Sequence, residues 1–481
     1  MNEKRQLFRH QEKGLEFARN KNAFGLFWEM RLGKTLTAIR IFIEKDVRKV
    51  LVVCPKSVIN TWVRELNSEG ILATRIKSEH FKNLFYEHAF QISQYGWYIT
   101  NYEVLIRHDL SDFRWDGIIL DESDRIKNPK AKISKELIGR IVRTSKKVKA
   151  HGKIYRKPVT IRYDSWRTIA NRCILTGTPA PENIKEYYQQ MKFISDTDSF
   201  AQCKSYHQFL FRYFQQFGFN HTPRKGASAH LAALIAEKCS VLKRDQIGLG
   251  SKKIYEVRET ELEKRYAREY KAFEKYWCTS NQEISSIYAL SSFTRLHQLS
   301  GGFQEDLEKV GLTSNHKINE CLTLLNQFKN DRVVIWFRFL NEIKYLAKSL
   351  DSNEYKIWSG KTSDSERKSM ENEFAFRNRK NKVNSKVRPK YLLAQIHSAS
   401  AGLDFAAADQ CIYYSNELGN KYRMQSEDRI QHPQKEIPLL YLDLVAVGTI
   451  CPKILQNLRT KERSQQAFLQ QIHMQMREEY A

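Results

Sequence analysis

The sequence predicts an α/β protein of two parallel-sheet domains, with a helical insertion between them and a basic hairpin-like insertion in the first. Three observations carry this. Short apolar runs alternate with helix-patterned segments twice along the 481 residues, first from about 23 to 176 and again from about 331 to 444. The stretch between, about 201 to 310, is helix-patterned and rich in aromatic and charged residues. Between 140 and 163, two alternating runs rich in Lys and Arg flank a His-Gly turn.

In the first domain, 1–200, the runs AFGLFW (23–28), KVLVVC (49–54), WYITNY (97–102), DGIILD (116–121) and RCILT (172–176) are apolar on both faces. Strands covered by crossover helices on both sides need that pattern. The insertion over about 140–163 carries eight Lys or Arg from Arg140 to Lys157, followed by the alternating VTIRY. A hairpin and a solvated loop are equally compatible with that composition. Residues 201–310 contain ELEKRYAREYKAFEKYW (261–277) and read as a helical bridge. The second domain, 311–450, repeats the strand pattern in DRVVIWF, YKIW (355–358), YLLAQI (391–396), QCIYY (410–414) and PLLYLDL (438–444). Residues 451–481 form a polar helix that could brace one domain.

Composition narrows the function. Hydrophobic residues at 41% and only 10 prolines describe a folded chain. Lys and Arg exceed Asp and Glu by 80 − 54 = 26, spread along most of the chain, which points to a polyanionic partner. The eight cysteines are widely spaced singletons, which excludes a zinc knuckle or a CxxC pair and suits buried thiols in a reducing compartment. A charged start without an apolar core, and no apolar run near 18 residues, predict neither export nor a membrane span.

Four segments carry chemistry. WEMRLGKT (28–35) lies between a strand and a helix, where Gly33 lets backbone approach a phosphate, Lys34 reaches the β/γ-phosphates and Thr35 can hold Mg²⁺. IILDESD (118–124) ends a buried strand 87 positions after Lys34; Asp121 would complete the Mg²⁺ shell and Glu122 would deprotonate the attacking water. ILTGTPAPEN (174–183) offers Thr176 and Thr178 around Gly177. MQSEDRIQHPQ (424–434) places Gln425 and Arg429 in the second domain as candidate phosphate contacts.

Read in order, these residues resemble a superfamily 2 helicase of the Swi/Snf type, a family with two RecA-like lobes and ATP between them. The resemblance covers nearly the whole chain. LFRHQEKGLEF (7–17) is similar to the adenine-sensing segment, with Gln11 as its glutamine; WEMRLGKT resembles motif I. VVCPKSVINTWVREL (52–66) is similar to motif Ia, which would put Pro55, Lys56 and Trp62 on the DNA-tracking face, and ITNYEVL (99–105) resembles motif Ib. DESDRIKN (121–128) is similar to motif II with the RIKN extension of the Swi/Snf branch, and LTGTP to motif III. In the second lobe VVIWFRF (333–339), HSASAGLDFAAADQCIYY (397–414), QSEDR (425–429) and DLVAVGTICPKIL (443–455) resemble motifs IV, V, VI and the closing segment, with Ser400, Gly402 and Leu403 in the DNA-contacting register.

Some positions depart from the pattern. Trp28 and Arg31 stand where the family carries Asp and Gly, Asp124 where it carries His, and His432 where motif VI has a second arginine. About twenty extra residues separate motifs II and III. If the missing arginine is the finger, hydrolysis should be slow unless Arg429 substitutes or His432 is protonated. The resemblance implies an ATP- and Mg²⁺-dependent motor on duplex DNA, with the hairpin (Lys146, Lys147, Lys153, Arg156) as a strand-separating wedge on forks and junctions. No chromodomain or bromodomain segment is evident in the sequence, so nucleosome remodelling is not expected. A compact motor of this kind resembles phage or bacterial enzymes of recombination, repair or replication, which would place it in bacterial or phage-infected cytoplasm. The alternatives are an RNA helicase of the same superfamily, or a branched-DNA binding protein with weak ATPase.

Overall fold

The computed structural model describes residues 5–81, 95–108, 110–150, 153–163, 166–218, 220–276, 289–303, 305–309, 311–376, 389–399 and 403–479. The chain forms two compact units, Met1–Ile247 with Ser464–Ala481, and Gly248–Arg463.

The first unit contains β1 (Ala23–Trp28), β2 (Lys49–Cys54), β3 (Ala73–Arg75), β4 (Gly96–Asn101), β5 (Gly117–Asp121), the paired β6 (Arg140–Ala150) and β7 (Lys153–Tyr163), β8 (Asn171–Leu175), the paired β9 (Phe214–Phe217) and β10 (Asn220–Pro223), and β11 (Cys239–Leu242). Among the described residues seven of these make one parallel sheet, ordered β11-β1-β8-β5-β2-β4-β3. Its central strands are buried throughout. Leu51, Ile118, Leu120 and Ile174 pack with Leu105, Leu137, Tyr187 and Ile194 of the covering helices. Phe468, Leu469 and Ile472 of the C-terminal helix Cys451–Glu479 join the same core, with the Phe468 ring centroid 5.4 Å from that of Tyr187.

The second unit is a parallel sheet of β12 (Lys253–Thr260), β13 (Val333–Phe337), β14 (Tyr355–Trp358), β15 (Tyr391–Gln395), β16 (Gln410–Tyr413) and β17 (Leu439–Ala446), ordered β12-β17-β16-β13-β15-β14. Alternate residues feed two cores: Val333, Ile335, Leu393 and Ile412 one, and Val334, Trp336, Leu392 and Tyr413 the other. A sheet covered on both faces reads as a continuous apolar run for this reason. Both units are therefore the α/β parallel-sheet lobes that the sequence predicts.

The stretch 201–310 does not form a body of its own: residues up to Ile247 belong to the first unit and those from Gly248 to the second. Its helices Tyr206–Tyr213, Ala227–Ala236 and Lys264–Tyr276 are those of a helix-rich segment, but β11 and β12 add an edge strand to each sheet. An edge strand pairs on one side only, and β12 accordingly reads KIYEVRET, half-exposed and charged, without the apolar run of a central strand.

The basic insertion is a hairpin. β6 and β7 pair antiparallel over eleven positions, from Arg140↔Tyr163 to Ala150↔Lys153; the intervening turn lies outside the described residues. The register sets Lys146 opposite Lys157 and Lys147 opposite Arg156.

Candidate active site

The site is assembled where β1, β8 and β5, neighbours in the sheet, end together. In parallel sheets the carboxyl ends of strands present loops and helix N-termini on one side, where ligands collect. After β1 the chain makes the loop Glu29–Gly33 and enters the helix Lys34–Glu44. Gly33 caps that helix with φ +75°, and a Cβ there would lie 2.2 Å from Gln11 Nε2. The buried Gln11 accepts the Phe8 amide on its Oε1 at 2.9 Å and places its Nε2 3.4 Å from the Gly33 carbonyl, so it braces the loop. Beside it His10 Nε2 lies 3.0 Å from the Leu32 carbonyl and its ring stacks on Phe8, which is 68% exposed. Lys34 Nζ donates to the carbonyls of Trp28 (2.8 Å) and Glu29 (3.1 Å), inside the loop. Thr35, partly buried, begins the first helical turn.

Glu29 is tied down from β11: Arg244 donates to its carboxylate through Nε and through the backbone amide, both at 3.1 Å. Trp28 occupies a buried place, its indole donating to Ser240 at 2.9 Å. Arg31 stands at φ +66°, in the left-handed region where glycine is at ease.

At the end of β5 the Asp121 carboxylate is held by two donors, the Glu122 amide to Oδ1 at 3.0 Å and the Trp62 indole to Oδ2 at 2.8 Å. Tyr102 donates to the Asp121 carbonyl at 2.7 Å. Burial, and then the charge of Glu122, push the Asp121 carboxyl up to about 6, against the pull of the Trp62 hydrogen bond and of Lys34. Two adjacent carboxylates beside a lysine ammonium form a donor set that a hard cation satisfies. Mg²⁺ needs only one or two carboxylates when phosphate and water complete its shell. Among the described residues no group of three or more His, Cys, Asp or Glu could hold a metal ion by itself. Glu122 sits at φ +54°, a second charged residue in the left-handed region at this edge.

Trp62 is a correction. Expected on the DNA-tracking face, it is 1% exposed and its polar atom is engaged by Asp121, so it positions the carboxylate and has no surface to offer a nucleic acid. Lys56, on the turn after β2, is exposed. Sequence reasoning passed over Tyr102, Arg244 and Ser240, because each acts through a contact between segments far apart in the chain.

After β8, Thr176 accepts the Thr178 amide on its hydroxyl at 3.0 Å, and Gly177 sits close enough to the phosphate loop that a Cβ would be 3.4 Å from Met30 N. With Asp124 in place of histidine, a link between this turn and the β5 end runs through other residues. Ser123 Oγ donates to Gln190 Oε1 at 2.8 Å, and the Gln190 amide reaches the Pro179 carbonyl.

In the second unit the helix Asn420–Glu427 is anchored by Arg423, whose guanidinium donates to Glu427 (2.7 Å), Asn416 (2.6 Å) and Asp443 of β17, over the Tyr413 ring. Arg429, 4% exposed, donates to the carbonyls of Gln425 and Leu403, each at 3.0 Å. His432 stacks flat on Phe376 with centroids 3.7 Å apart, and its Nδ1 accepts the Gln434 amide at 3.2 Å. Ser400 and Gly402 lie outside the described residues, as does Cys278; the seven described cysteines are buried and free. No described helix is long and apolar enough to cross a membrane.

Residues 10–148 match the SNF2-related domain. The chain is 24% identical over 491 residues to the CHD3-type chromatin-remodeling factor CHR7 of Arabidopsis thaliana, covering 95% of this chain and 37% of that protein. It is 30% identical over 207 residues to the human DNA excision repair protein ERCC-6-like (39% and 14% covered), and 26% identical over 183 residues to the human DNA repair and recombination protein RAD54B (35% and 17%). It thus spans little more than a third of the first of these relatives, and less of the others. Among solved structures, a Sulfolobus solfataricus SWI2/SNF2 ATPase core in complex with dsDNA matches with a TM-score of 0.41 and 22% identity, covering 95% of this chain and 91% of that one.

Proposed function

We propose that the chain is a member of the Swi/Snf type of superfamily 2 and an ATP-dependent DNA translocase or helicase acting on duplex or branched DNA in repair, recombination or replication; the match of residues 10–148 to the SNF2-related domain supports the reading. The observation that carries the reading is the junction of β1, β8 and β5, where a glycine-lysine-threonine loop and the doubly held Asp121 carboxylate, with Glu122 next to it, lie at the carboxyl ends of neighbouring strands. That arrangement suits phosphoryl transfer, in which positioning and charge stabilisation do most of the work. Gly33, Lys34 and the first turn of the following helix hold the phosphates. Mg²⁺, held by Asp121 and Thr35, would neutralise phosphate charge. Glu122 takes the proton of the attacking water, and Gln11 with the exposed Phe8 ring faces the base.

The excess of 26 positive charges supports a nucleic-acid track gripped through its phosphates. The names of two relatives speak of DNA repair. The hairpin supports the wedge assignment through its register: it sets Lys146 opposite Lys157 and Lys147 opposite Arg156, like charges that are unfavourable in an isolated two-stranded ribbon and that a polyanion would relieve. Lys56, Lys146, Lys147, Lys153, Arg156 and Ser400 are the proposed DNA contacts, and Gln425 and Arg429 the proposed nucleotide-responsive groups of the second unit. The buried, free cysteines support a reducing compartment.

The experiment is ATP hydrolysis at fixed salt with no nucleic acid, single-stranded DNA, duplex, a forked or four-way junction, and RNA, with Lys34→Ala as blank. Stimulation by duplex or junction DNA is the expected result. Stimulation by RNA alone would replace the reading with an RNA helicase, and tight DNA binding without any stimulation would replace it with a binding protein.

A further inference from the structure

The loop proposed to hold the phosphates begins with an acid. Glu29 follows β1 directly and its side chain is 34% exposed, so its carboxylate is not sealed away from a ligand in the loop. A negative charge at such a place repels a nucleotide's phosphates unless it is compensated.

The compensation comes from β11. Trp28 pairs with Leu242, and the Glu29 amide donates to the Leu242 carbonyl at 2.9 Å, a register that carries Arg244 alongside Glu29. Arg244, 6% exposed, donates to one oxygen of that carboxylate, Oε2, through its backbone amide and its Nε, both at 3.1 Å. The amide alone would orient the carboxylate; the guanidinium adds a full positive charge. The residue held in this way also supplies the backbone carbonyl that accepts Lys34 Nζ at 3.1 Å. We propose that Arg244 is a positioning residue of the nucleotide site, which acts through Glu29: it cancels a negative charge in the phosphate loop and steadies the carbonyl on which Lys34 rests. The inference rests on the ATPase reading above and adds that nucleotide affinity depends on this pair in step with the phosphate charge of the ligand.

The experiment measures affinity for adenosine, ADP and the non-hydrolysable AMP-PNP at fixed Mg²⁺, in the parent, Arg244→Met, Arg244→Lys, Glu29→Gln and the combination of Arg244→Met with Glu29→Gln. Every variant keeps the backbone amide that holds residue 29, and methionine fills the arginine's space. AMP-PNP affinity should fall on the order of tenfold in Arg244→Met, ADP affinity less, and adenosine affinity should not move. Arg244→Lys keeps the charge and should stay near the parent. Glu29→Gln leaves the guanidinium uncompensated and should bind AMP-PNP several-fold tighter, and the combined variant should return close to the parent. Raised salt should narrow all these differences. A role confined to packing predicts otherwise: equal losses for adenosine and AMP-PNP, or a combined variant as weak as Arg244→Met, would overturn the inference and leave the ATPase reading intact. Should Arg244→Met fail to fold, Glu29→Gln decides alone, and AMP-PNP binding no tighter than the parent's would overturn it. AMP-PNP binding equal in the parent and in Lys34→Ala would bring down both readings.

Discussion

Replacing Trp62 by phenylalanine separates two roles that the same residue could have. The ring remains to fill the buried space, and one N–H group is lost, the donor 2.8 Å from Asp121 Oδ2. The Asp121 carboxyl is raised from 3.8 to about 6, mainly by burial. Because its folded pKa exceeds its unfolded one, the native state binds more protons between those values. Stability is therefore fully present below about pH 4 and declines as pH rises through 6, by about 3 kcal/mol in total at 1.36 kcal/mol per pKa unit. A hydrogen bond to a charged group is worth about 1.5–3 kcal/mol, so its loss should lift the folded pKa by roughly a further 1–2. The decline then extends to about pH 7–8. Thermal or urea unfolding in metal-free buffer at pH 5 and pH 8 reads this directly. Trp62→Phe should cost little at pH 5, where the carboxyl is protonated in both proteins, and about 1.5–3 kcal/mol more at pH 8. DNA affinity should be unchanged, since the residue is buried. A stability difference equal at both pH values would refute the assignment of the indole to the ionised carboxylate, and a loss of DNA affinity without any stability change would return Trp62 to the DNA face.

Lys34→Ala and Glu122→Gln should each abolish ATP hydrolysis while DNA binding, measured by fluorescence anisotropy, stays within about twofold; hydrolysis surviving in both would move the site elsewhere. Deleting 146–156 should spare duplex-stimulated ATPase and lower unwinding of forked DNA several-fold, and equal unwinding rates would remove the hairpin from strand separation. Asp443→Ala leaves the buried Arg423 guanidinium without its β17 partner, which should cost about 3–5 kcal/mol in urea unfolding. A cost below about 1 kcal/mol would mean that Glu427 and Asn416 suffice.

Of the ten strands named from the sequence, β14 is an edge strand with Lys356 and Ile357 exposed; the other nine, β1, β2, β4, β5, β8, β13, β15, β16 and β17, were legible because they are largely buried and so mostly apolar. The same holds for Gly33 and Lys34, where spacing between a strand and a helix defines the phosphate loop, and for the basic hairpin, whose alternation matches its register. β3, β11 and β12 were not legible, since edge strands are short or polar and resemble the loops and helices around them. What only the tertiary structure decided lies in contacts between distant segments. Trp62 reaches Asp121 across 59 positions, Arg244 reaches Glu29 across 215, and Phe468 enters the core of the first unit after the chain has built the second. Local sequence determines which elements form, through periodicity and backbone preference. Which side of an element is covered, and hence whether an amphipathic residue such as tryptophan faces solvent or a carboxylate, depends on partners that periodicity does not encode.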